Sequence, residues 1–175
     1  MKNAFGENLD TFELITTRRS IRKFTDEPVS DEIIDNIIAA GTWAPSGLNN
    51  QPWKFAVVRD NELKTKISTL TRYSKIILNA NVLIAVFLDN SLSYDRTKDC
   101  QAIGACIQNM LLAVHSMGLG AVWLGEILKN KDKVLELIGG PNALELMAVI
   151  ALGHPAGNGG KGMRKDAAQV IIFRK

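Results

Sequence analysis

The sequence contains little cysteine and little histidine, two residues of each in a chain of 175. Cys100 and Cys106 form a C-x5-C pair, whereas zinc sites commonly use cysteines two to four residues apart together with a second ligand pair. We therefore expect no metal site. Both cysteines are interpreted as buried free thiols, which fits a reducing compartment.

Long hydrophobic runs are also lacking. The longest, VLIAVFL at 82–88, is much shorter than the roughly 20 apolar residues of a transmembrane helix. The first ten residues, MKNAFGENLD, are polar and acidic where a signal peptide would carry an apolar segment. We therefore expect a cytoplasmic protein with no membrane partner.

Charge of one sign is not in large excess, because the net charge is only +3. A global polycation that would steer the chain to nucleic acid is excluded. The segment TTRRSIRKF is nevertheless locally basic, with Arg18, Arg19, Arg22 and Lys23 inside six residues. It fits either a solvated helix end or an anion site, since guanidinium groups bind phosphate through forked hydrogen bonds. A nucleic-acid patch would need a longer basic surface with interleaved aromatics.

The pattern of apolar residues predicts helices and strands without strict alternation. Asp10, Ser30, Asp60 and Asn130 are the predicted N-caps. The predicted helices run from Asp10 into Arg18, over 31–41 with Gly41 closing, from Asp60 through the seventies, over 96–117, and from Asn130 to Gly139. The predicted strands are WKFAVVR, VLIAVFL, AVWL, LELMAVIAL and QVIIF. This mixture indicates an α+β fold with one sheet flanked by helices.

The central helix is almost free of charge across its middle, CQAIGACIQNMLLAVHSMG. A helix of this kind is expected to be buried all round. In a chain of this size, that predicts a subunit interface as well as a core. The loop APSGLNNQPWKF offers amide groups that suit a flat heterocycle, although the residues alone favour a plain loop that places Trp53 in the core. Trp53 and Trp123 are both expected in the core.

Four motifs in a fixed order resolve these alternatives. RRSIRKF, APSGLNNQPWKF, GLGAVWLG at 118–125 and ALGHPA at 151–156 resemble the signatures of the nitroreductase family of flavoenzymes. The resemblance runs from about Thr16 to the C-terminus. It implies a three-layer α/β/α fold with one mostly antiparallel mixed sheet flanked by helices. It also implies an obligate homodimer in which residues 1–175 form a single FMN-binding domain.

The resemblance implies roles for individual residues in binding FMN. Arg18 and Ser20 match positions at the phosphate and ribityl chain, Arg19 stands beside them, and Arg22 matches the basic position near the flavin pyrimidine. The remaining matches are Pro45, Ser46 and Asn49 in a loop contributed by the partner subunit, Leu124 and Gly125 at the turn whose N–H faces flavin N5, and Arg164 at the phosphate, with Lys161 and Lys75 as possible additional cations.

The implied activity is hydride transfer from NADH or NADPH, through FMN, to a nitroaromatic, a quinone or another conjugated small-molecule acceptor by a ping-pong mechanism. No catalytic side chain is expected, because such chemistry depends on orientation, stacking and the local field. His115 looks isolated on its helix. The alternatives are a flavin carrier or regulatory flavoprotein, or a related enzyme that reduces enones or removes halogens. The chain is short for the family, and we expect a more open, or differently shaped, substrate face.

Overall fold

The structure, a computed structural model, describes residues 10–175. The residues 1–9 that carry most of the signal-peptide argument therefore lie outside the described part. Within residues 10–175 the α-helices are α1 Thr11–Thr17, α2 Asp31–Thr42, α3 Asn61–Ser68, α4 Ser74–Asn79, α5 Arg96–Ser116, α6 Lys131–Ile138 and α7 Ala167–Val170. The strands are β1 Trp53–Val58, β2 Val82–Asp89, β3 Gly120–Leu124 and β4 Leu144–Gly153.

The N-terminal ends of the helices follow the predicted capping residues. Asp10 Oδ1 accepts from Glu13 N at 2.7 Å, Ser30 Oγ accepts from Ile33 N at 3.3 Å, and Asp60 Oδ1 accepts from Leu63 N at 2.7 Å. The helix predicted after Asp60 is divided into α3 and α4 by a turn at 69–73. Asn130 precedes α6 but directs its side-chain amide to Leu70 O instead.

The sheet has the strand order β1-β2-β4-β3, and in residues 10–175 its neighbouring strands are all antiparallel. The prediction of a mostly antiparallel sheet is confirmed. The expectation of a mixed sheet is wrong for these strands, since the parallel component is limited to an isolated bridge between Ser20 and Ala121. A bulge between Val86 and Phe87 interrupts the pairing of β2 with β4.

Strand β2 lies in the middle of the molecule and is buried along its whole length. Its alternate residues Val82, Ile84, Val86 and Leu88 pack with α2 and α5 on one face. The residues between them, such as Phe87, pack with α3, α4 and α6 on the other face. A strand covered on both faces needs a continuous apolar sequence, so VLIAVFL forms the centre of a three-layer α/β/α arrangement.

Gly41 lies inside α2 and does not end it, contrary to the sequence prediction. A Cβ at this position would come within 2.7 Å of Met110 Cγ and 3.1 Å of Cys106 Sγ. The glycine is therefore explained by the close packing of α2 on α5.

Burial raises the pKa of the Cys106 thiol to about 12, whereas Cys100 is only half-buried, so the prediction of two buried thiols holds for one of them.

Helix α5 is not buried all round within one protomer. Ala102, Ile103, Cys106, Ile107 and Met110 are buried on one face. The opposite face is partly accessible: Gln101 and Gln108 are exposed, whereas Gly104, Ala105 and Leu112 are half-buried. We call these five residues the α5 face. The core of one protomer therefore accounts for half of the predicted burial, and burial of the uncharged α5 face by a second subunit stays a prediction.

Two further sequence predictions are wrong. Trp53 is buried, but the side chain of Trp123 on the edge strand β3 is 42% exposed. QVIIF does not form a strand: Gln169 and Val170 end α7, which Asp166 opens, and residues 171–173 are irregular. These apolar side chains are exposed in the protomer because no strand of the described chain pairs with them.

Within residues 10–175, no helix has the length and apolar character needed to cross a bilayer.

Candidate functional site

The arginine-rich segment lies against the end of the sheet and is not a free helix end. Ser20 bridges Ala121 of β3, and Ile21 N donates to Ala121 O at 2.9 Å. A Cβ on Gly120 would come within 2.7 Å of the Ile21 side chain. Glycine at the start of β3 therefore allows this segment to pack closely on the strand.

The same segment is also tied to the loop after β4. Phe24 bridges Pro155, Thr25 N donates to His154 O at 2.9 Å, and Ala156 N donates to Lys23 O at 3.0 Å. The motifs RRSIRKF, GLGAVWLG and ALGHPA, which are far apart in sequence, thus meet at one place. Backbone hydrogen bonds hold them there.

A cavity of about 360 Å³ lies between the arginine-rich segment and the loop after β4. Its lining residues come from these two stretches and are Ser20, Ile21, Arg22, Lys23, Ala156, Gly157, Asn158 and Gly159. Two of the predicted site residues, Ser20 and Arg22, therefore face a common cavity. Lys23, which we did not assign to the site, also lines it.

Three arginines gather near this cavity. Burial lowers the pKa of Arg18, and the positive charges of Arg164 and then Arg19 lower it further. Among the residues that the structure describes, Arg18, Arg19, Arg22 and Arg164 take part in no salt bridge. A group of like charges without a carboxylate is costly unless an anion binds there.

Arg19 differs from its neighbours because much of its hydrogen-bonding capacity is used by the protein. Its Nη1 donates to Thr16 O at 2.7 Å and to Arg18 O at 2.9 Å, and its Nε donates to Gly160 O at 3.3 Å. These bonds leave the two Nη2 hydrogens for a ligand. Gly159 and Gly162 pack directly on this side chain, where a Cβ would collide with it. Arg19 therefore joins the arginine-rich segment to the C-terminal loop.

The other cations are less constrained. Arg22 Nη1 donates to Ser20 O at 3.3 Å, and Arg164 Nη1 donates to Met163 O at 2.7 Å. Both side chains are exposed, as is Lys161 in the same C-terminal loop. Lys75 is exposed on α4 and is not among the described residues that line the cavity.

His115 belongs to this region, although the sequence suggested that it was isolated. Its Nε2 lies 2.9 Å from Thr17 Oγ1. Burial lowers the pKa of His115, and the charges of Arg18 and then Arg19 lower it further. The only sequence signal was indirect: His115 occupies the last turn of α5, and α1 ends just before the arginines. Their meeting depends on the contact between α1 and α5.

The second predicted segment, the loop at 45–51, has an unusual backbone. Leu48, Asn49 and Gln51 have positive φ values of 54°, 56° and 47°. Non-glycine residues adopt this conformation rarely and at an energetic cost. Ser46 stabilises the loop by accepting from Asn49 N through its carbonyl at 3.1 Å and from Gln51 N through Oγ at 3.1 Å.

The loop is anchored at the N-terminal end of α5. Asn50 Nδ2 donates to Asp99 Oδ1 at 2.7 Å. The other oxygen, Oδ2, accepts from Ser93 Oγ at 2.7 Å and from the N–H groups of Tyr94 and Asp95. Asp99 is fully buried. The sequence contained no obvious signal for this role, since a single Asp near a helix start is common.

The two predicted halves of the site are therefore far apart in one protomer. The loop contacts α5 near Asp99, whereas the arginines lie near His115, 16 positions later. That separation corresponds to about 24 Å along a helix. The structure brings together Arg18, Arg19, Ser20, Arg22 and Arg164, and it does not bring Pro45, Ser46 and Asn49 to them within one chain.

Leu124 and Gly125 form the turn that leaves β3. Leu124 is buried, and Gly125 is exposed at the start of the 3₁₀ helix Glu126–Asn130. The carboxylate of Glu126 holds this turn, accepting from Thr71 Oγ1 at 2.6 Å and from Arg72 N at 3.2 Å. Hydrogen bonds from Lys129 and Thr71 lower the pKa of Glu126 to about 2.

The chain is similar in sequence to proteins of one family. The sequence model of the Nitroreductase family matches residues 15–74 and 68–154. A candidate NADH dehydrogenase/NAD(P)H nitroreductase from Methanothermobacter thermautotrophicus is 41% identical over 155 residues, which cover 87% of this chain and 81% of the relative. An iodotyrosine deiodinase from Thermotoga neapolitana is 28% identical over 82% of this chain and 88% of the relative.

Solved structures show the same fold. The crystal structure of a candidate nitroreductase from Desulfovibrio desulfuricans, in complex with FMN, superposes with a TM-score of 0.91. It is 45% identical in sequence, and the match covers 96% of this chain and 98% of that one. The family match extends over most of the chain and includes the arginine-rich segment, the loop at 45–51 and the turn at Gly125. The chain belongs to the nitroreductase family.

Proposed function

We propose that the chain is an NAD(P)H-dependent FMN oxidoreductase that acts as a homodimer, with residues 1–175 as a single FMN-binding domain. Its acceptor is a nitroaromatic, a quinone or another conjugated small molecule. The observation that supports this most strongly is the group formed by Arg18, Arg19 and Arg164, which lacks a carboxylate partner in the described chain and lies beside the cavity at Ser20 and Arg22.

The residues present fit FMN. A dianionic phosphate ester would offset the mutual repulsion of the three arginines, and guanidinium groups suit its oxygens. Ser20 adds a hydroxyl at the cavity wall. In the similar Desulfovibrio desulfuricans structure, the bound group is FMN. Arg18 and Arg164 would hold the phosphate, while Arg19 fixes the distance between their two segments.

The proposed homodimer explains how the remaining site residues reach the cofactor. A two-fold axis at the α5 face would place the Asp99 end of one helix beside the His115 end of the other. Pro45, Ser46 and Asn49 of one subunit would then complete the site of its partner. The exposed Ile172 and Phe173 also need a covering surface, which a second copy would supply.

FMN, when bound, supplies the hydride-accepting and hydride-donating chemistry between NAD(P)H and the acceptor. The protein binds and orients it. Arg22 supplies a positive charge at the cavity, and the Gly125 N–H is a hydrogen-bond donor held in place by the Glu126 contacts. A preoriented charge and donor of this kind stabilise negative charge without reorganisation during the reaction.

A ping-pong sequence, in which NAD(P)H leaves before the acceptor enters, requires one accessible surface for both. Trp43, just before the loop at 45–51, and Leu48, within it, are each 86% exposed and provide apolar contact area for such ligands. We propose a cytoplasmic location because Cys100 and Cys106 are both free thiols.

Reductive dehalogenation is the second candidate reaction. The specific observation that favours it is the similarity to the iodotyrosine deiodinase of Thermotoga neapolitana, which extends over 82% of this chain. The phosphate and loop residues would have the same roles in this case. Only the acceptor would differ.

The test of the proposed function is spectroscopic. The purified chain should be yellow or become yellow with one FMN per protomer, lose that colour with NADH or NADPH in the absence of oxygen, and recover it when a nitrofuran or a quinone is added. An iodophenol assayed in parallel, with release of iodide as the readout, tests the second candidate. A chain that ignores added FMN would overturn the proposal, and one that binds FMN but resists NAD(P)H would be a carrier.

The dimer is tested separately with Gln108→Arg, which puts a charge at an exposed position of the α5 face. We expect light scattering to show a monomer that has lost FMN. The loop at 45–51 of one subunit would no longer lie beside the arginines of the other. Thr65→Arg, an exposed position on α3, is the matched control and should remain dimeric. A monomeric wild-type protein with full FMN binding would contradict the shared site.

A further inference from the structure

The hydrogen bonds around Thr17 determine which nitrogen of His115 carries the hydrogen. Thr17 Oγ1 lies 2.6 Å from Glu13 O and 2.9 Å from His115 Nε2. A carbonyl oxygen only accepts, so the single hydroxyl hydrogen of Thr17 is donated to Glu13. His115 Nε2 must therefore carry a hydrogen and donate it to Thr17 Oγ1. In the neutral ring, Nδ1 has the free lone pair.

The charges around the ring are all positive. The positive charges of Arg18 and Arg19 lower the pKa of His115, and the positive charge of Arg164 lowers the pKa of Arg18. Thr17, the neighbour from α1, is uncharged, and the Glu13 group that contacts it is a backbone carbonyl. In the described part of the chain, no carboxylate is hydrogen-bonded to the ring. A neutral imidazole is favoured for as long as the arginines have no anion.

We propose that His115 is part of the phosphate site and takes up a proton when a dianionic phosphate ester binds beside Arg18. The proton comes from solvent and adds to the lone pair of Nδ1, and no bond of the ligand breaks. Thr17 holds the ring through Nε2, so protonation requires no change of tautomer. This inference rests on the proposed function, in which the phosphate ester is FMN.

The sign of the effect follows from the charges. Without the anion, burial and the two arginines keep the pKa of His115 below its ordinary value. Two negative charges at the arginines reduce that repulsion, so the pKa of His115 is higher in the complex than in the chain without the anion. Between the two pKa values, binding takes up a proton and the affinity increases as the pH falls. The effect is limited to about tenfold per pH unit for one proton.

The first measurement is the pH dependence of FMN affinity for the full chain freed of flavin. His115→Gln is the comparison, because its amide can still donate to Thr17 but does not titrate. From pH 7.5 to 6.0 we expect the wild-type affinity for FMN to rise about fivefold relative to that of the variant. The phosphate of FMN also titrates, with a pKa of about 6, but this contribution is common to both proteins and cancels in the ratio.

The second measurement needs no variant and observes the ring directly. The chain has two histidines, so the ring nitrogen signals of His115 can be followed by NMR after histidine labelling. At pH 6.5, added FMN and inorganic phosphate should each shift His115 to the protonated pattern. Riboflavin, which lacks the phosphate, should leave it neutral.

The outcomes separate the inference from the proposed function. If FMN binds and the His115 ring stays neutral, the inference is overturned and the proposed function stands. If FMN does not bind but inorganic phosphate protonates the ring, the inference stands and the function is overturned. A ring that remains neutral with both ligands, in a chain that does not bind FMN, overturns both.

Discussion

Asn50 Nδ2 donates a hydrogen bond of 2.7 Å to Oδ1 of the fully buried Asp99. This contact links the loop at 45–51 to the first turn of α5. The loop contains three non-glycine residues with positive φ, and such a backbone persists only where its surroundings hold it. Asp99 is therefore the anchor of the half of the site that is offered to a partner subunit.

Asp99→Asn should destabilise the protein by about 3 kcal/mol, the scale of losing charge-assisted hydrogen bonds in a buried network. The introduced amide keeps one acceptor oxygen and replaces the other with an NH2 group. That NH2 group would face N–H or O–H donors that now donate to the Asp99 carboxylate. Chemical denaturation at pH 7 measures the loss. Asp95→Asn, at the half-exposed N-cap of α5, is the control and should lose much less than about 1 kcal/mol, because Asn caps a helix about as well as Asp.

The stability difference between wild type and Asp99→Asn should depend on pH. Burial acts to raise the pKa of Asp99, but hydrogen bonds from Ser93, Asn50 and the Asp95 and Tyr94 backbone outweigh it, and the net pKa is lowered. The stability from Asp99 is therefore complete above the ordinary Asp pKa of about 3.9 and is lost as the pH falls through the lower folded value. The difference between wild type and Asp99→Asn should shrink below about pH 4. A difference that is independent of pH would contradict the assignment.

Arg18→Ala should weaken FMN binding by about 1.5–3 kcal/mol, the scale of a lost charge-assisted hydrogen bond. This corresponds to a Kd about 10- to 150-fold higher. Titration of the flavin-free chain by fluorescence quenching measures it, with riboflavin as the ligand control, since riboflavin affinity should change little. Lys54→Ala, an exposed cation on β1, is the matched variant. An unchanged Kd for Arg18→Ala would place Arg18 outside the phosphate site.

Gly41→Ala should destabilise the protein by about 1–3 kcal/mol through overpacking against α5. The added methyl would lie 2.7 Å from Met110 Cγ. Met110→Ala removes that obstacle, so the double variant should be more stable than the sum of the two single losses predicts. Strictly additive losses in thermal or chemical denaturation would show that the cost of Gly41→Ala does not come from the contact with Met110.

Glu126→Gln should lower Tm at neutral pH by weakening the turn beside Gly125. Hydrogen bonds from Lys129 and Thr71 lower the pKa of Glu126 to about 2. Because the folded pKa is below the ordinary value of about 4.3, the contribution of Glu126 is complete above that value and is lost as the pH falls toward 2. The Tm difference from wild type should thus narrow over this window. Glu136→Gln, exposed on α6, should show no comparable difference at any pH.

Local features of the fold were predictable from sequence because they depend on neighbouring residues. Ser30 and Asp60 cap the helices that follow them, and the uninterrupted VLIAVFL run forms the fully buried strand β2. The grouping of Arg18, Ser20 and Arg22 was visible in six residues of sequence, and its phosphate role was suggested by family resemblance. Ser20 and Arg22 line one cavity, and Arg18 lies just before them in the chain. This arrangement agrees with the phosphate role, which remains a prediction.

Other features depend on contacts between distant segments and were missed. Gly41 was predicted to end α2, because the local sequence does not reveal that Met110 of α5 packs against it. Trp123 was predicted to be in the core, because the local sequence does not reveal that β3 lies at the edge of the sheet. QVIIF has the composition of a strand, yet a strand forms only where an edge is available to pair with it. His115 was set aside because its relation to Thr17 exists only in the folded chain.

The sequence by itself determined where several helices begin, which strand is central and where positive charge is concentrated, because capping, periodicity and composition act over a few residues. Only the tertiary structure decided that RRSIRKF meets the loop after β4, and that Asp99 and His115 hold the two halves of the site at opposite ends of α5. The physical reason is that hydrogen bonds and charge interactions depend on distance in space, and the length of a rigid helix sets that distance.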